Sequence, residues 1–514
     1  MRERLLRFGA YLLAASVLAG CAALPALDAR VASTALQGSD DSRIGKAVLP
    51  LAAAHPGLSG VHVLTDGRDA FGARLLMADT AERSLDVQYY IWRNDTTGVL
   101  LFKALEAAAA RGVRVRLLLD DNNTGGMDEL LALLAAQPHV EVRLFNPFAV
   151  RSARVLGFIG DFKRLNRRMH NKSFTVDGQA TIVGGRNVGD EYFDATGEVL
   201  FADLDILAVG PVVAAVEQDF DRYWNSASAY PLQLLVDAPG QAAAAAVRRR
   251  SEALAAAPAA LAYLDAVRGS DFSNQLSEQR LPLEWAPVRL VSDDPAKVLG
   301  RDAPEASLVK RLPALLGEPV RQVDLVSPYF VPGPNWSGRF AAAAASGIKV
   351  RILTNSLEAT DVTAVHAGYA KWRPALLKAG VTLLELKRSW TRENEPTRRG
   401  MTGSSASSLH AKTFEVDQAR VFVGSFNLDP RSVDLNTEMG FVIDSPTLAR
   451  RMSDVLDGRV GERAYEVQLT PAGSLVWIEH TPDGVVRHDS EPGSSWWQRG
   501  AVEFMSLLPI DWLL

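Results

Sequence analysis

The sequence predicts an α/β protein of two similar halves, each a mixed sheet flanked by helices, packed as a pseudodimer around one shared site. Three observations lead there. A strand–helix–strand pattern near residue 85 recurs more than 200 residues later, and each copy is followed by the same histidine-bearing hairpin pattern. The third is length: 514 residues exceed what one ordinary core accommodates. With 47% hydrophobic and 22% charged residues, the composition is that of a folded globular chain and excludes general disorder.

The opening "MRERLLRFGAYLLAASVLAGC" has a basic head, an apolar run from Phe8 to Ala19, then Gly20 and Cys21. That run is too short to span a bilayer and suits a secretory signal, here residues 1–20. Leu18-Ala19-Gly20-Cys21 resembles a bacterial lipobox, and Cys21 is the only cysteine, so no internal disulfide can form. Cys21 is therefore the expected lipidation site. Ala22, where some lipoproteins carry aspartate, favours the periplasmic face of the outer membrane, with the inner membrane as the alternative. Residues 1–20 carry three arginines and one glutamate, so their removal takes the net charge from −5 to −7. An acidic body is a poor general nucleic-acid binder, and no nucleic-acid partner is expected.

Residues 21–50, alanine-rich and aperiodic, read as a tether, and the first domain is expected over 51–235. There, Leu85–Trp92 and Val113–Leu119 have strand patterns and Gly98–Ala110 has helical spacing, a βαβ unit with parallel pairing. Residues 236–285, rich in alanine and arginine, read as a helical connector. The second domain, 286–460, repeats the unit in Arg321–Ser356: "RGVRVRLLLDD" and "SGIKVRILTNS" share a helix-ending glycine and the next strand's alternation. Residues 461–514 read as a hairpin turning at Asp483-Gly484 and an apolar, aromatic tail, expected to pack as a terminal helix, with lipid contact as the alternative.

Two segments carry the chemistry, "MHNKSFTVDGQATIVGGRN" and "LHAKTFEVDQARVFVGSFN". Both read H-x-K-x4-D-x6-G-[GS]-x-N, through His170, Lys172, Asp177 and Asn187, and through His410, Lys412, Asp417 and Asn427. Strand period two puts each histidine and lysine on one face, and the small residues before each asparagine let backbone approach a ligand closely. An imidazole can attack phosphorus to form a phosphohistidine, lysine and asparagine can hold the nonbridging oxygens, and a second imidazole can move the proton of the alkoxide. Two histidines with different tasks require both motifs at one seam. Asp177 and Asp417 belong to the candidate catalytic set by position, but beside the turns they are expected to organise the hairpins. No histidine forms H-x3-H or sits with cysteine, and the H-x-K sequence sets a repelling ammonium beside each motif imidazole, so no metal or other cofactor is expected.

The paired motifs resemble the signature of the phospholipase D superfamily. The framework segments "DVQYYIW", "RRMHNKSF", "GGRNVGDEYF", "SPYFVP", "GSFNLDPRS" and "NTEMGF" are similar to bacterial cardiolipin synthases of the C type, from about residue 55 onward. This resemblance implies two phospholipase D-like halves and phosphatidyl transfer through a phosphohistidine. By family precedent His170 is the nucleophile and His410 the general acid and base, with Lys172, Lys412, Asn187 and Asn427 on the phosphate. It also implies a carboxylate behind each imidazole, for which Glu438 and Asp203 are the candidates and Glu198 competes with Asp203. The implied partners are a membrane surface and phospholipids: phosphatidylglycerol, with phosphatidylethanolamine as a second candidate. Water as acceptor would make the protein a phospholipase D releasing phosphatidic acid; a nuclease and an inactive tethered scaffold are the remaining alternatives. His366 is open between cleft lining and a structural role, and Tyr90, Tyr329 and Phe330 between lipid entry and packing. The basic run Arg151, Arg154, Lys163, Arg164, Arg167, Arg168 before the first motif is expected to attract anionic phospholipid, with its apolar members Val155, Leu156, Phe158 and Ile159 as candidates to touch the bilayer.

Overall fold

The structure, a computed structural model, describes residues 23–28, 30–195, 201–301, 303–388, 408–458, 460 and 463–508. The signal segment, Cys21 and Glu198 lie outside the described residues.

The first expected unit forms as Ser84–Tyr89, Thr96–Ala110 and Arg114–Asp120. The helix starts two residues earlier than its apolar spacing suggests because the Asp95 carboxylate caps it, accepting from the Gly98 N–H. The two strands pair in parallel, Ser84 opposite Arg114. The second unit is Gln322–Val326, Gly333–Ala345 and Lys349–Asn355, again parallel, with Gln322 opposite Lys349.

Around these units the chain builds two large mixed sheets. The first runs Glu284–Ala286, Ser59–Leu64, Asp205–Val209, Ala180–Gly184, Ser173–Val176, Ser84–Tyr89, Arg114–Asp120, Val140–Phe145, Ala229–Pro231. The second runs Val288–Ser292, Met439–Ile443, Arg420–Gly424, Thr413–Val416, Gln322–Val326, Lys349–Asn355, Thr382–Leu386, then Ala464–Leu469, Leu475–Thr481 and Gly484–His488. From Ser59–Leu64 to Val140–Phe145, and from Val288–Ser292 to Thr382–Leu386, the order and relative directions of seven strands are the same. The predicted α/β duplication is thus the architecture of the protein. Helices cover both sheets, and an apolar seam joins the halves: Val183, Ile206 and Val216 pack with Val421, Phe441 and Ile443.

Two peripheral segments are more integrated than their composition suggests. Residues of the expected tether are fastened to the first half, where Arg143 donates to Val31 O, Arg116 to Ser33 O and Arg114 to Thr34 O. Asp221 accepts from the Ala35 N–H at 2.8 Å. Alanine content conceals this because the anchoring groups are backbone carbonyls met by arginines from elsewhere. The expected C-terminal hairpin turns as read, Thr481 opposite Gly484, but its strands continue the second sheet through Ala464–Leu469. The connector is helical, over Gln241–Ala255, Pro258–Arg268 and Asp271–Ser277, and then supplies the edge strand Glu284–Ala286 to the first sheet.

Asp177 and Asp417 sit at the far turns of the motif hairpins, roughly 20 Å of extended chain from the histidines. They do not join the reaction centre. The buried Asp177 carboxylate accepts from the N–H groups of Glu82, Arg83 and Ser84, and Asp417 accepts from Val320, Arg321 and Gln322. Each aspartate ties its hairpin to the start of the neighbouring parallel strand while sitting at positive φ, 51° and 58°. Asp177→Ala is expected to cost roughly 2 kcal/mol, since it removes the acceptor of three backbone N–H groups, of which that of Ser84 is buried. Asp417→Ala should cost less because that carboxylate is partly exposed. Denaturant unfolding of both variants checks the order, and activity per folded molecule should be retained.

Candidate active site

Strand Ser173–Val176 is antiparallel to Ser84–Tyr89, with Ser173 opposite Gln88, so His170 lies at the C-terminal end of the parallel strands. Thr413 opposite Val326 puts His410 at the same end of the second sheet. Both histidines are buried, at 7% exposure each.

Each is held by the other half. His170 donates its backbone N–H to Thr437 O at 2.9 Å, and its Nδ1 lies 2.8 Å from Glu438 Oε2. His410 donates its backbone N–H to Ala202 O at 2.8 Å, and its Nδ1 lies 2.5 Å from Asp203 Oδ2. The strand pair Ser408–Leu409 and Phe201–Ala202 repeats what the Met169–Thr437 bridge does on the other side. With Nδ1 facing a carboxylate, the orientation of each imidazole ring is fixed.

The remaining motif residues gather around them. Lys172 Nζ donates to His170 O at 2.6 Å, and Lys412 Nζ to His410 O. Each ammonium feels both Glu438 and Asp203, and both ammoniums act on His170, so the two motifs converge on one centre. Asn187 is engaged, accepting from the Ile91 N–H and donating to the Tyr192 hydroxyl, both at 3.1 Å. Asn427 is 4% exposed, and its Oδ1 has no hydrogen-bond partner among the described residues. Tyr90 sets its ring edge-on to His170 at 4.9 Å and Tyr192 does so to His410 at 5.3 Å.

Burial, then Lys172 and Lys412, drive the His170 imidazole well below its ordinary protonation range. Burial and Lys412 lower His410 as well, against the opposing pull of Asp203. Burial also depresses both lysines, more strongly at Lys172. The carboxylates diverge. At Asp203 burial is outweighed by His410, Lys412 and Arg186, which hold it well below the usual range, whereas burial pushes Glu438 up to about 7 despite Lys172 and Ser425.

A local difference accompanies the divergence. Ser425 donates its hydroxyl to Glu438 Oε2 at 2.5 Å. The equivalent position in the first motif is Gly185, where an added Cβ would meet Asp203 Oδ1 at 2.1 Å. Asp203 instead accepts from the Leu204 N–H. The role of Ser425 was not expected. Its only signal is the serine that "GSFN" carries where "GGRN" has its second glycine.

Other candidates fall outside the centre. His366 is buried against Arg373 Nη2 at 2.6 Å, and Glu491 joins them, a structural cluster. Phe330 is core, and Tyr329 donates to Asp361 at 2.6 Å. The basic run is not a free cationic face. Arg168 pairs with Asp120 at 2.7 Å, Arg151 with Asp121 and Asp128, Arg154 with Asp121 O, Arg164 with Asn146, and Arg167 with Lys297 O. Only Lys163 of the six is exposed. The expected attracting field is therefore largely neutralised by aspartates distant in sequence. Its role is local: Asp120, held by Arg168, accepts from the Met169 N–H at 2.8 Å and fixes the approach to His170.

Two duplicated α/β halves that place paired H-x-K motifs and crossed carboxylates at one buried seam define a phosphodiester-transferring enzyme of the phospholipase D type. The chain belongs to the family described as "Cardiolipin synthase, PLD-like domain", which matches residues 76–224 and 312–459. It is 50% identical over 478 residues to cardiolipin synthase C of Escherichia coli (strain K12), covering 92% of this chain and all of that protein. It is 31% identical to an uncharacterized protein of Helicobacter pylori, covering 88% of this chain and 89% of the other. The fold is similar to that of phosphatidylserine synthase from Haemophilus influenzae Rd KW20, with a TM-score of 0.53 over 82% of this chain and 92% of that one; at 12% identity this bears on fold alone.

Glu438 supplies a pH test. Its folded-state carboxyl titrates near 7, above the ordinary value, so the unfolded chain gives up this proton first. Its contribution to stability is present at acid pH and is lost as pH rises from about 4.5 through 7, on the order of 3 kcal/mol. Glu438→Gln should lack that loss. Chemical denaturation of both proteins at pH 4.5 and 8 measures it, and the difference between them should change in favour of the variant at pH 8.

Proposed function

We propose that the protein is a phosphatidyltransferase that makes cardiolipin, with phosphatidylglycerol as acceptor and phosphatidylethanolamine as a second phospholipid substrate to test. The observation that carries this reading is the pair of crossed histidine–carboxylate dyads, which gives one buried centre two imidazoles, each oriented through Nδ1 by a carboxylate of the other half. The family and the relative named cardiolipin synthase C support the lipid assignment.

In the proposed sequence His170 Nε2 attacks the donor phosphorus. The P–N bond forms as the P–O bond to the leaving alkoxide breaks, and His410 Nε2 gives that alkoxide its proton. The hydroxyl of the acceptor then returns a proton to His410 while its oxygen displaces His170 from phosphorus. The assignment of roles follows the electrostatics. His170 is the more strongly deprotonated imidazole, as a nucleophile requires, and His410 faces an ionised Asp203 that favours the imidazolium form. Lys172 and Lys412, with Asn187 and Asn427, would receive the nonbridging oxygens, and an arriving anion would relieve two ammoniums that burial disfavours. Asp203 and Glu438 keep each imidazole in the tautomer that frees Nε2.

Purified protein given phosphatidylglycerol, with and without phosphatidylethanolamine, is expected to yield cardiolipin. Phosphatidic acid as the sole product would replace transfer by hydrolysis. His170→Ala and His410→Ala should each remove the product. A diester with a nitrophenol leaving group needs no proton donor, so His410→Ala should still release a burst of nitrophenol while His170→Ala should not. The reverse pattern would exchange the roles.

The reading includes attachment at the cell envelope through an acylated Cys21, on the periplasmic face of the outer membrane. Growth with radiolabelled palmitate should label the wild-type protein and leave Cys21→Ser unlabelled.

A further inference from the structure

Beyond the reaction centre, the exposed large apolar side chains are unevenly placed. Helix Arg154–Leu165 follows strand Val140–Phe145 and exposes Val155 at 78%, Ile159 at 63%, and Phe162. Helix Trp496–Ser506 buries Val502 against Leu357 and Ala367, but leaves Trp496 at 80%, Trp497 and Leu507 exposed. The first helix belongs to the first half. The second packs on helix Thr363–Ala370, which follows strand Lys349–Asn355 of the second half. Both therefore stand at the C-terminal ends of parallel strands, the end that carries the histidines.

Short contact paths connect each helix to one histidine. Phe158 packs edge-on to Phe148, whose ring lies under Arg168, two residues before His170. On the other side, Asp361, just before helix Thr363–Ala370, accepts from Tyr329 and acts on Lys412 beside His410. Among the described residues no helix is long and apolar enough to cross a membrane.

Resting on the phospholipid reading above, we propose that the helices Arg154–Leu165 and Trp496–Ser506 form a two-point docking surface for a phospholipid bilayer, one point from each half, flanking the mouth of the shared site. The bilayer is the occupant that this composition fits. Adjacent tryptophans suit the headgroup boundary, and a helix with one apolar face lies in the interface plane without spanning it. The buried histidines require the phosphodiester to rise to them while its acyl chains stay in lipid, which calls for apolar contacts on both sides of the mouth. Two helices supplied separately by the two halves provide that.

The test uses the full chain carrying Cys21→Ser, so that no acyl anchor contributes. Three further versions add Val155→Asp with Ile159→Asp, Trp496→Ser with Trp497→Ser, or all four changes. Binding is measured by flotation with vesicles of phosphatidylglycerol and phosphatidylethanolamine. Turnover is measured on the same vesicles and on a short-chain phosphatidylglycerol kept below its micelle concentration. Each pair of changes should weaken vesicle binding at least fivefold, and all four at least twentyfold. Vesicle turnover should fall in step while short-chain turnover stays within twofold. Unchanged vesicle binding would overturn the proposal, as would a loss from one helix only, an equal loss on both substrates, or a shift from dimer to monomer in sedimentation with binding intact. If the parent chain binds vesicles through these residues yet turns over neither substrate, the docking surface stands and the functional reading falls.

Discussion

The architecture depends on one arrangement: each catalytic-type imidazole is oriented by a carboxylate of the opposite half. Glu438 holds His170 and Asp203 holds His410, and in both cases a backbone hydrogen bond from the histidine N–H precedes the side-chain contact. The seam must therefore be rigid to a few tenths of an ångström, since a hydrogen bond loses its worth over that distance. The apolar packing of Val183 and Ile206 against Val421 and Phe441 supplies the rigidity, and the common strand order brings both hairpins to the same end. Even the arginine-rich approach to the first motif serves placement, through Arg168, Asp120 and the Met169 N–H.

The pseudo-symmetry is broken where chemistry needs it to be. A longer carboxylate with a serine hydroxyl beside it stands on one side, and a shorter one packed against a glycine stands on the other. The first titrates near neutrality and the second stays ionised. Two otherwise equivalent imidazoles thus meet different partners, which is how one duplicated framework can support an attacking group and a proton carrier.

Much of this was legible in the sequence because period and spacing are local properties. The βαβ units, the turn at Asp483-Gly484 and the duplication itself follow from patterns within a few tens of residues. The carboxylates Asp203 and Glu438 could be nominated by type, but their crossing could not, since nothing local records which half faces which. The basic run was misread for the same reason. Arg151, Arg154 and Arg168 look like a cationic face until Asp120 at the end of strand Arg114–Asp120, and Asp121 and Asp128 just beyond it, pair with them. Residues 31–34 look like a tether until arginines of the first sheet donate to the carbonyls of Val31, Ser33 and Thr34.

The crossed dyads also set a clock. His170 and Glu438 are separated by 268 residues of chain. At synthesis rates of about 5–20 residues per second, roughly 15–50 s pass between the emergence of the histidine and that of the side chain that orients it. The first half can acquire its sheet in that interval but not a working centre. A chain that has emerged only as far as its first half lacks the carboxylate that orients His170. Its chemistry becomes available only when the last third of the polypeptide has folded against the first.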